Sequence, residues 1–385
     1  MYVFRKKRNI YLVKMFDLIG SILFSLFGLR RFELPERIRR ILVIRLDGIG
    51  DVIFTTPLYE ALKKRYPEAR LSVLVGIEAK GVVEMNPYVD NVFVMGKTWF
   101  SATNGINLGE ILSILRKIRK ENFDIGIDLR GDMRNILLMF LGKVKYRVGY
   151  GVTGGGFLLN KIPDYEKDMQ EVEKNIKLIK ELDCKVANRR FQIYYSQSDK
   201  ANVLELLERE NVGKSNSMLA IHMGAGYPSK SWKKEKFLHL LKELNERNYG
   251  RIVLIGNDNN GICFNYIHER LNIDYINTIG RLSIRELAVL LERCSVLISC
   301  DSGPVHVAAA VGTPCIVLFS GTNTLKQWGS LDNNVNRVIH KEVECSPCEM
   351  RVCPQSTHLC MDKIKVSDVL CELDALFGSM AGIAK

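Results

Sequence analysis

The sequence predicts an α/β protein of two Rossmann-like domains facing an interdomain cleft, preceded by an N-terminal amphipathic helix. Three observations lead there. At 385 residues the chain is too long for one ordinary core. A run of buried strand, glycine-bearing turn and helix occurs near residue 41 and starts again near residue 218. The first 40 residues stand apart in composition, with ten Lys/Arg against three acidic residues, or +7 of the chain's +12. The basic excess therefore belongs to this arm and does not describe a nucleic-acid-binding face.

Taken in order, residues 1–39 read as a basic, membrane-associating arm. The stretch 10–29 is apolar but interrupted by Lys14 and Asp17, and its unbroken part, 18–29, is shorter than the roughly twenty residues that span hydrocarbon. Basic residues flank it on both sides, and no small-x-small cleavage site follows. A helix lying in the membrane plane is expected, with a core-docked helix or a true span as alternatives.

Residues 40–196 form the first domain, expected to hold the acceptor. The run 41–46 (ILVIRL) suits a buried parallel strand, and a helical pattern follows the turn Asp47-Gly48-Ile49-Gly50-Asp51. Further strands are expected at 71–75, 92–95 and 124–129, with a helix at 108–120. A linker is placed at 197–216. The second domain, 217–340, repeats the pattern with strands at 218–222, 251–255, 296–300 and 315–319 and helices at 234–246, 284–293 and 304–311. Residues 341–385 carry a cysteine-rich segment and a last helix at 366–377 that is free to pack back across the join.

Six sequence features bear on chemistry. Asp51 follows the Gly50 turn at the end of the first strand, where a carboxylate either caps the next helix or takes a proton from an attacking hydroxyl. The loop from Gly224 through Ala225, Gly226 and Ser229 to Lys230 offers an ammonium to a leaving pyrophosphate, or is a solvated loop. In Asp301-Ser302-Gly303-Pro304-Val305-His306, Ser302 or Gly303 suits an N-cap and Pro304 the first helical position. Free N–H groups there would face an anion. Asp301 would meet a sugar hydroxyl, and His306 either bonds phosphate or is satisfied in the core. Asp258, at the end of the second strand of the second half, is placed for ribose or for a turn. On the acceptor side, Arg130 and Arg134 either meet acidic or phosphorylated sugars or pair at the surface. Cys345, Cys348, Cys353 and Cys360, with His358, allow a structural zinc, a disulfide or plain thiols. The other cysteines read as small core residues of a reducing compartment.

The GIGD turn, the Lys-x-Trp loop and DSGPVH, in this order and spacing, resemble glycosyltransferase family nine, which includes the ADP-heptose:lipopolysaccharide heptosyltransferases. The resemblance runs from about Arg40 to Leu376. It implies the GT-B fold and an inverting, metal-independent transfer with no cofactor required for catalysis. Asp51 would be the base, Lys230 and Gly303–His306 would hold the diphosphate, Asp301 the donor sugar and Asp258 the ribose. ADP-heptose would be the donor and a lipid-linked core glycan the acceptor, at the inner face of the cytoplasmic membrane. Ala225 and Gly226 stand where some members carry hydroxyl residues, which leaves the donor preference open. No D-x-D occurs in the chain, in keeping with Lys, helix dipole and His serving the diphosphate. The alternatives are a transferase using another nucleotide sugar and a non-catalytic nucleotide-sugar-binding scaffold at the membrane.

Overall fold

The computed structural model describes residues 2, 7–26, 33–99, 107–212, 217–257, 261–328 and 336–383. The chain forms two compact units, Met1–Gln192 and Ile193–Lys385.

In the first unit, β1 (Arg40–Arg45) is central. It lies between β2 (Arg70–Gly76) and β4 (Ile125–Asp128), with β3 (Asn91–Met95) and β5 (Tyr146–Gly149) at the edges. All pairings are parallel, with Val43 opposite both Val73 and Ile127. Both faces of β1 are covered, which is why it reads as an unbroken apolar run instead of an alternating one. The helix Leu108–Glu121 lays Ile114 and Ile118 on the sheet and stops at Asn122, whose φ of 49° turns the chain into the left-handed region.

The second unit has β6 (Met218–His222), β7 (Arg251–Ile255), β8 (Ile276–Asn277), β9 (Val296–Cys300), β10 (Cys315–Phe319) and β11 (Asn336–His340). The sheet order is β11-β10-β9-β6-β7-β8, all parallel. Counted from β6, this is the doubly wound order 3-2-1-4-5-6 read from the other edge. The helix Lys234–Glu246 buries Phe237, Leu240, Leu241 and Leu244, each contributing about 1.5–3 kcal/mol of transfer free energy. Trp232 packs edge-on against Phe237 and donates its indole N–H to the Ile364 carbonyl, so it is a core residue.

Two expectations about segment ends change. The segment 197–216 carries the helix Gln197–Arg209, capped by Ser196 and Asp199 and packed on the helix Ile284–Glu292; Arg285 grips Asp199 at 3.0 and 3.2 Å. The last helix, Val366–Ile383, packs on β10, β11 and the helix Lys234–Glu246 of its own unit.

The arm forms the helix Lys7–Leu26, long and apolar enough to cross a membrane by length and composition. One stripe touches the first unit: Phe16 and Phe24 meet Phe157, and Phe24 also meets Phe140. Gly20 lies so close that the Phe157 ring would sit 2.3 Å from an added Cβ. Asp17, an odd residue for an apolar helix, accepts the Gly155 N–H at 2.7 Å and the Tyr2 hydroxyl at 2.6 Å. The opposite stripe, including Tyr11, Met15, Leu18, Ile22 and Leu26, is exposed.

Candidate functional site

Each sheet has one point where strand order reverses, between β1 and β4 in the first unit and between β6 and β9 in the second. Ligands of such sheets gather outside the carboxyl ends of the strands there. Asp51, Arg130 and Arg134 follow strands at the first of these points, and Lys230 and the Asp301–His306 turn follow strands at the second.

At the first, β1 ends in Arg45, whose side chain is 1% exposed yet fully engaged. Its Nε donates to Asp47 at 2.6 Å, and its Nη1 to the Leu129 carbonyl at 2.9 Å and to Asn175 Oδ1 at 3.3 Å. Its Nη2 serves two carboxylates, Asp51 at 3.0 Å and Glu171 at 2.9 Å. Asp51 lies in the short helix Ile49–Ile53, begun at Gly48, and its second oxygen accepts the Gly48 N–H at 3.0 Å. It is therefore a helix cap, as one reading held. It also remains 18% exposed, and burial, then the neighbouring Asp47, push its pKa up to about 6 against the pull of Arg45. Asp47 behaves oppositely: burial opposes its ionisation, but Arg45 and Arg130 outweigh this and hold its pKa down. A carboxylate titrating near 6 is a better proton acceptor than an ordinary Asp and is still mostly ionised at neutral pH.

Both predicted acceptor arginines are paired. Arg130 bonds Asp47, and Arg134 makes a two-point contact with Asp132 at 2.8 Å for each bond. Beside them, Asp128 is fully buried, and burial raises its pKa to about 7 although Asn135 donates to it.

At the second point, Lys230 and Asp301 form an ion pair at 2.6 Å, with Asn323 also donating to Asp301 at 3.2 Å. The expectation gave these two residues separate partners, diphosphate and sugar; here each is the other's counter-charge. The helix Gly303–Val311 begins at Ser302 with Pro304 in its first turn and ends at Gly312 in the left-handed region. Ser302 is the N-cap by position, but its hydroxyl makes no cap bond. It donates to the Cys300 carbonyl at 3.0 Å and meets His222 Nδ1 at 3.1 Å. The N-cap side chain therefore leaves the first N–H groups of this helix uncapped, where the dipole favours an anion. Burial lowers the pKa of His306 to about 4, so in the free protein its imidazole is neutral at neutral pH.

Ser229 departs from expectation. It is buried, its hydroxyl donates to the Met350 carbonyl at 2.5 Å, and its N–H goes to the Arg351 carbonyl at 3.1 Å. Its own carbonyl receives Thr322 Oγ1 at 3.2 Å and His358 Nε2 at 2.9 Å. Ser229 is thus committed to holding the Pro228–Lys230 turn against the cysteine-rich segment. Ala225 is half-buried, Gly226 is exposed with open space where a Cβ would go, and Asp258 lies outside the described residues.

The expected zinc is not supported. Cys345, Cys348, Cys353 and Cys360 are free thiols that line, with His358 and Ser229, a cavity of about 380 Å³. Among the described residues no three His, Cys, Asp or Glu side chains are arranged to hold a metal.

Sequence reading missed the helix whose Glu171 and Asn175 share Arg45 with Asp51. Glu171, Lys174 and Asn175 lie 120 or more positions away in the helix Glu171–Lys180. A signal existed: three polar residues at i, i+3 and i+4 share a helix face with the apolar Val172, Ile176 and Ile179.

Comparison with known proteins gives relatives over most of the chain. Lipopolysaccharide heptosyltransferase 3 of Escherichia coli is 24% identical over 294 residues, covering 74% of this chain and 84% of that protein. The solved glycosyltransferase family 9 protein from Veillonella parvula superposes with a TM-score of 0.77 at 20% identity, covering 89% of this chain and 98% of that one. E. coli ADP-heptose lps heptosyltransferase II does so with a TM-score of 0.69 at 22% identity, covering 89% and 99%. The description glycosyltransferase family 9 (heptosyltransferase) matches residues 111–358, which take in Lys230 and the Asp301–His306 turn but not Asp51. With that stretch spanning well over half its length, the chain belongs to glycosyltransferase family 9, the heptosyltransferases.

Proposed function

We propose that this transferase moves a heptose, with inversion and without a metal, from ADP-heptose to a lipopolysaccharide core acceptor. The observation that carries the chemistry is Asp51, buried enough to be basic and exposed enough to reach a substrate hydroxyl. Its carboxylate takes the acceptor's proton while the acceptor oxygen bonds the anomeric carbon. The bond from that carbon to the diphosphate oxygen breaks on the opposite face, and its electron pair leaves with ADP. Lys230 exchanges Asp301 for the leaving diphosphate, and the uncapped start of the helix Gly303–Val311 adds its dipole. Arg130 and Arg134 meet acidic groups of the acceptor in this reading, each trading an intramolecular carboxylate for one on the glycan; their position just after β4 supports it. The helix Lys7–Leu26 lies in the plane of the cytoplasmic membrane's inner face, since its docked stripe leaves the apolar stripe outward.

The test is Asp51→Ala, assayed by transfer of label from ADP-heptose to a heptose-free lipopolysaccharide core. Transfer disappears while thermal stabilisation by ADP-heptose persists. Near-normal turnover removes Asp51 as base, and stabilisation by UDP- or GDP-sugars instead of ADP-heptose replaces the donor.

A further inference from the structure

Arg45 touches Asp47, Asp51 and Glu171 together, and the way it is shared has a chemical consequence. A guanidinium has five N–H bonds, and here they reach three carboxylates, a backbone carbonyl and an amide oxygen. Asp51 and Glu171 draw on the same nitrogen, Nη2. Glu171 is 8% exposed, and its other oxygen lies 3.4 Å from Lys174 Nζ. Lys174 in turn faces the Tyr165 ring. Asn175 of the same helix fixes Nη1 and bonds back to the Phe54 carbonyl, so one helix face sets where the guanidinium sits.

We propose that Glu171 is a positioning residue for the transfer, dividing Arg45 with Asp51 so that Asp51 stays basic; this rests on the reading of Asp51 as base. Were Arg45 to serve Asp51 alone, the pair would be a plain salt bridge and the carboxylate a poor proton acceptor. With Glu171 on the same nitrogen, the attraction is split and a second negative charge faces Asp51. The charged groups around Asp51 are Asp47 and Arg45 from β1 and its turn, Arg130 after β4, and Glu171 from the helix, with Lys174 behind Glu171. The two substitutions of that helix that change charge therefore move Asp51 in opposite directions.

The experiment is the pH profile of kcat/KM with ADP-heptose and heptose-free lipopolysaccharide core. Glu171→Gln keeps the acceptor for Arg45 but removes the charge. The acid limb moves to lower pH by about half to one unit, and the plateau falls roughly three- to tenfold as the base weakens. Lys174→Met removes the cation behind Glu171 and moves the limb to higher pH by about half a unit. A merely structural Glu171 lowers the plateau without moving the limb, and that result overturns the proposal. So does a limb that shifts the same way in both variants. If Glu171→Gln does not fold, an unmoved limb in Lys174→Met overturns it alone. Failure here with Asp51→Ala inactive leaves the base assignment standing, whereas an active Asp51→Ala removes both.

Discussion

Asp51→Asn should stabilise the protein that it inactivates, and by an amount that depends on pH. The Asp51 pKa is raised from 3.8 to about 6, chiefly by burial and then by Asp47. A shift of that size corresponds to roughly 3 kcal/mol of folding free energy lost when the group is ionised. The sign follows from the direction. Because the folded pKa lies above the unfolded one, the cost is absent below about pH 4, grows between the two values, and is complete above the folded one. Asn removes the charge but keeps one oxygen to accept the Gly48 N–H, so the cap survives. It sacrifices the 3.0 Å bond from Arg45, whose Nη2 keeps Glu171. A net gain of about 1–3 kcal/mol at pH 8, shrinking to near zero at pH 4, is therefore expected. Urea unfolding followed by far-UV circular dichroism at both pH values reads it directly. A variant less stable than the parent at pH 8, or a difference that ignores pH, would refute the placement of a costly carboxylate at this site.

Three further outcomes follow from other contacts. Lys230→Ala leaves Asp301 with Asn323 and removes the cation offered to the diphosphate, so kcat falls about a hundred- to a thousandfold while acceptor KM holds, measured by steady-state transfer. His358→Ala takes one of two donors from the buried Ser229 carbonyl; a loss of about 1 kcal/mol in thermal unfolding and a raised donor KM are expected, whereas an unchanged donor KM would detach the cysteine-rich segment from the Lys230 turn. Asp17→Leu makes the N-terminal helix more apolar but removes the acceptor of the Gly155 N–H. Vesicle binding holds or rises, while hydrogen exchange at the Gly155 amide speeds up about tenfold or more.

The central strands were legible because burial on both faces forces continuous apolar runs, as in residues 41–46, 218–222 and 315–319. The edges were not. Tyr146–Gly149 and Ile276–Asn277 are only four and two residues long, too short for periodicity to register. The helix Gln197–Arg209 was taken for linker because its polar face outweighs its few buried residues, Val203 and Leu207 among them. Within the site, Asp51, Lys230 and the Ser302–Gly303 helix start were visible because glycine and proline mark strand-to-helix turns locally. Glu171 and the Ser229 contacts with Met350 and His358 were invisible because they join positions 121 to 129 residues apart. Local sequence specifies where a functional side chain stands; its electrostatic environment comes from elements that only the fold brings near.

In the transfer proposed above, the two strand-reversal points solve opposite problems with the same pair of charges. At β1 the carboxylate must accept a proton, so its cation has to be present but diluted; Arg45 achieves this by serving Asp47 and Glu171 as well. At β9 the cation must be handed to a leaving group, so its carboxylate has to be displaceable. Asp301 can release Lys230 because Asn323 remains as a donor to the same oxygen. Burial sharpens both. Arg45 at 1% and Asp301 at 7% exposure are where a charge left unpaired is costly, which keeps each ion pair intact in the free protein. Exchanging Lys230 for Arg should therefore be poorly tolerated, since a two-point grip on Asp301 would strengthen the contact that transfer has to break.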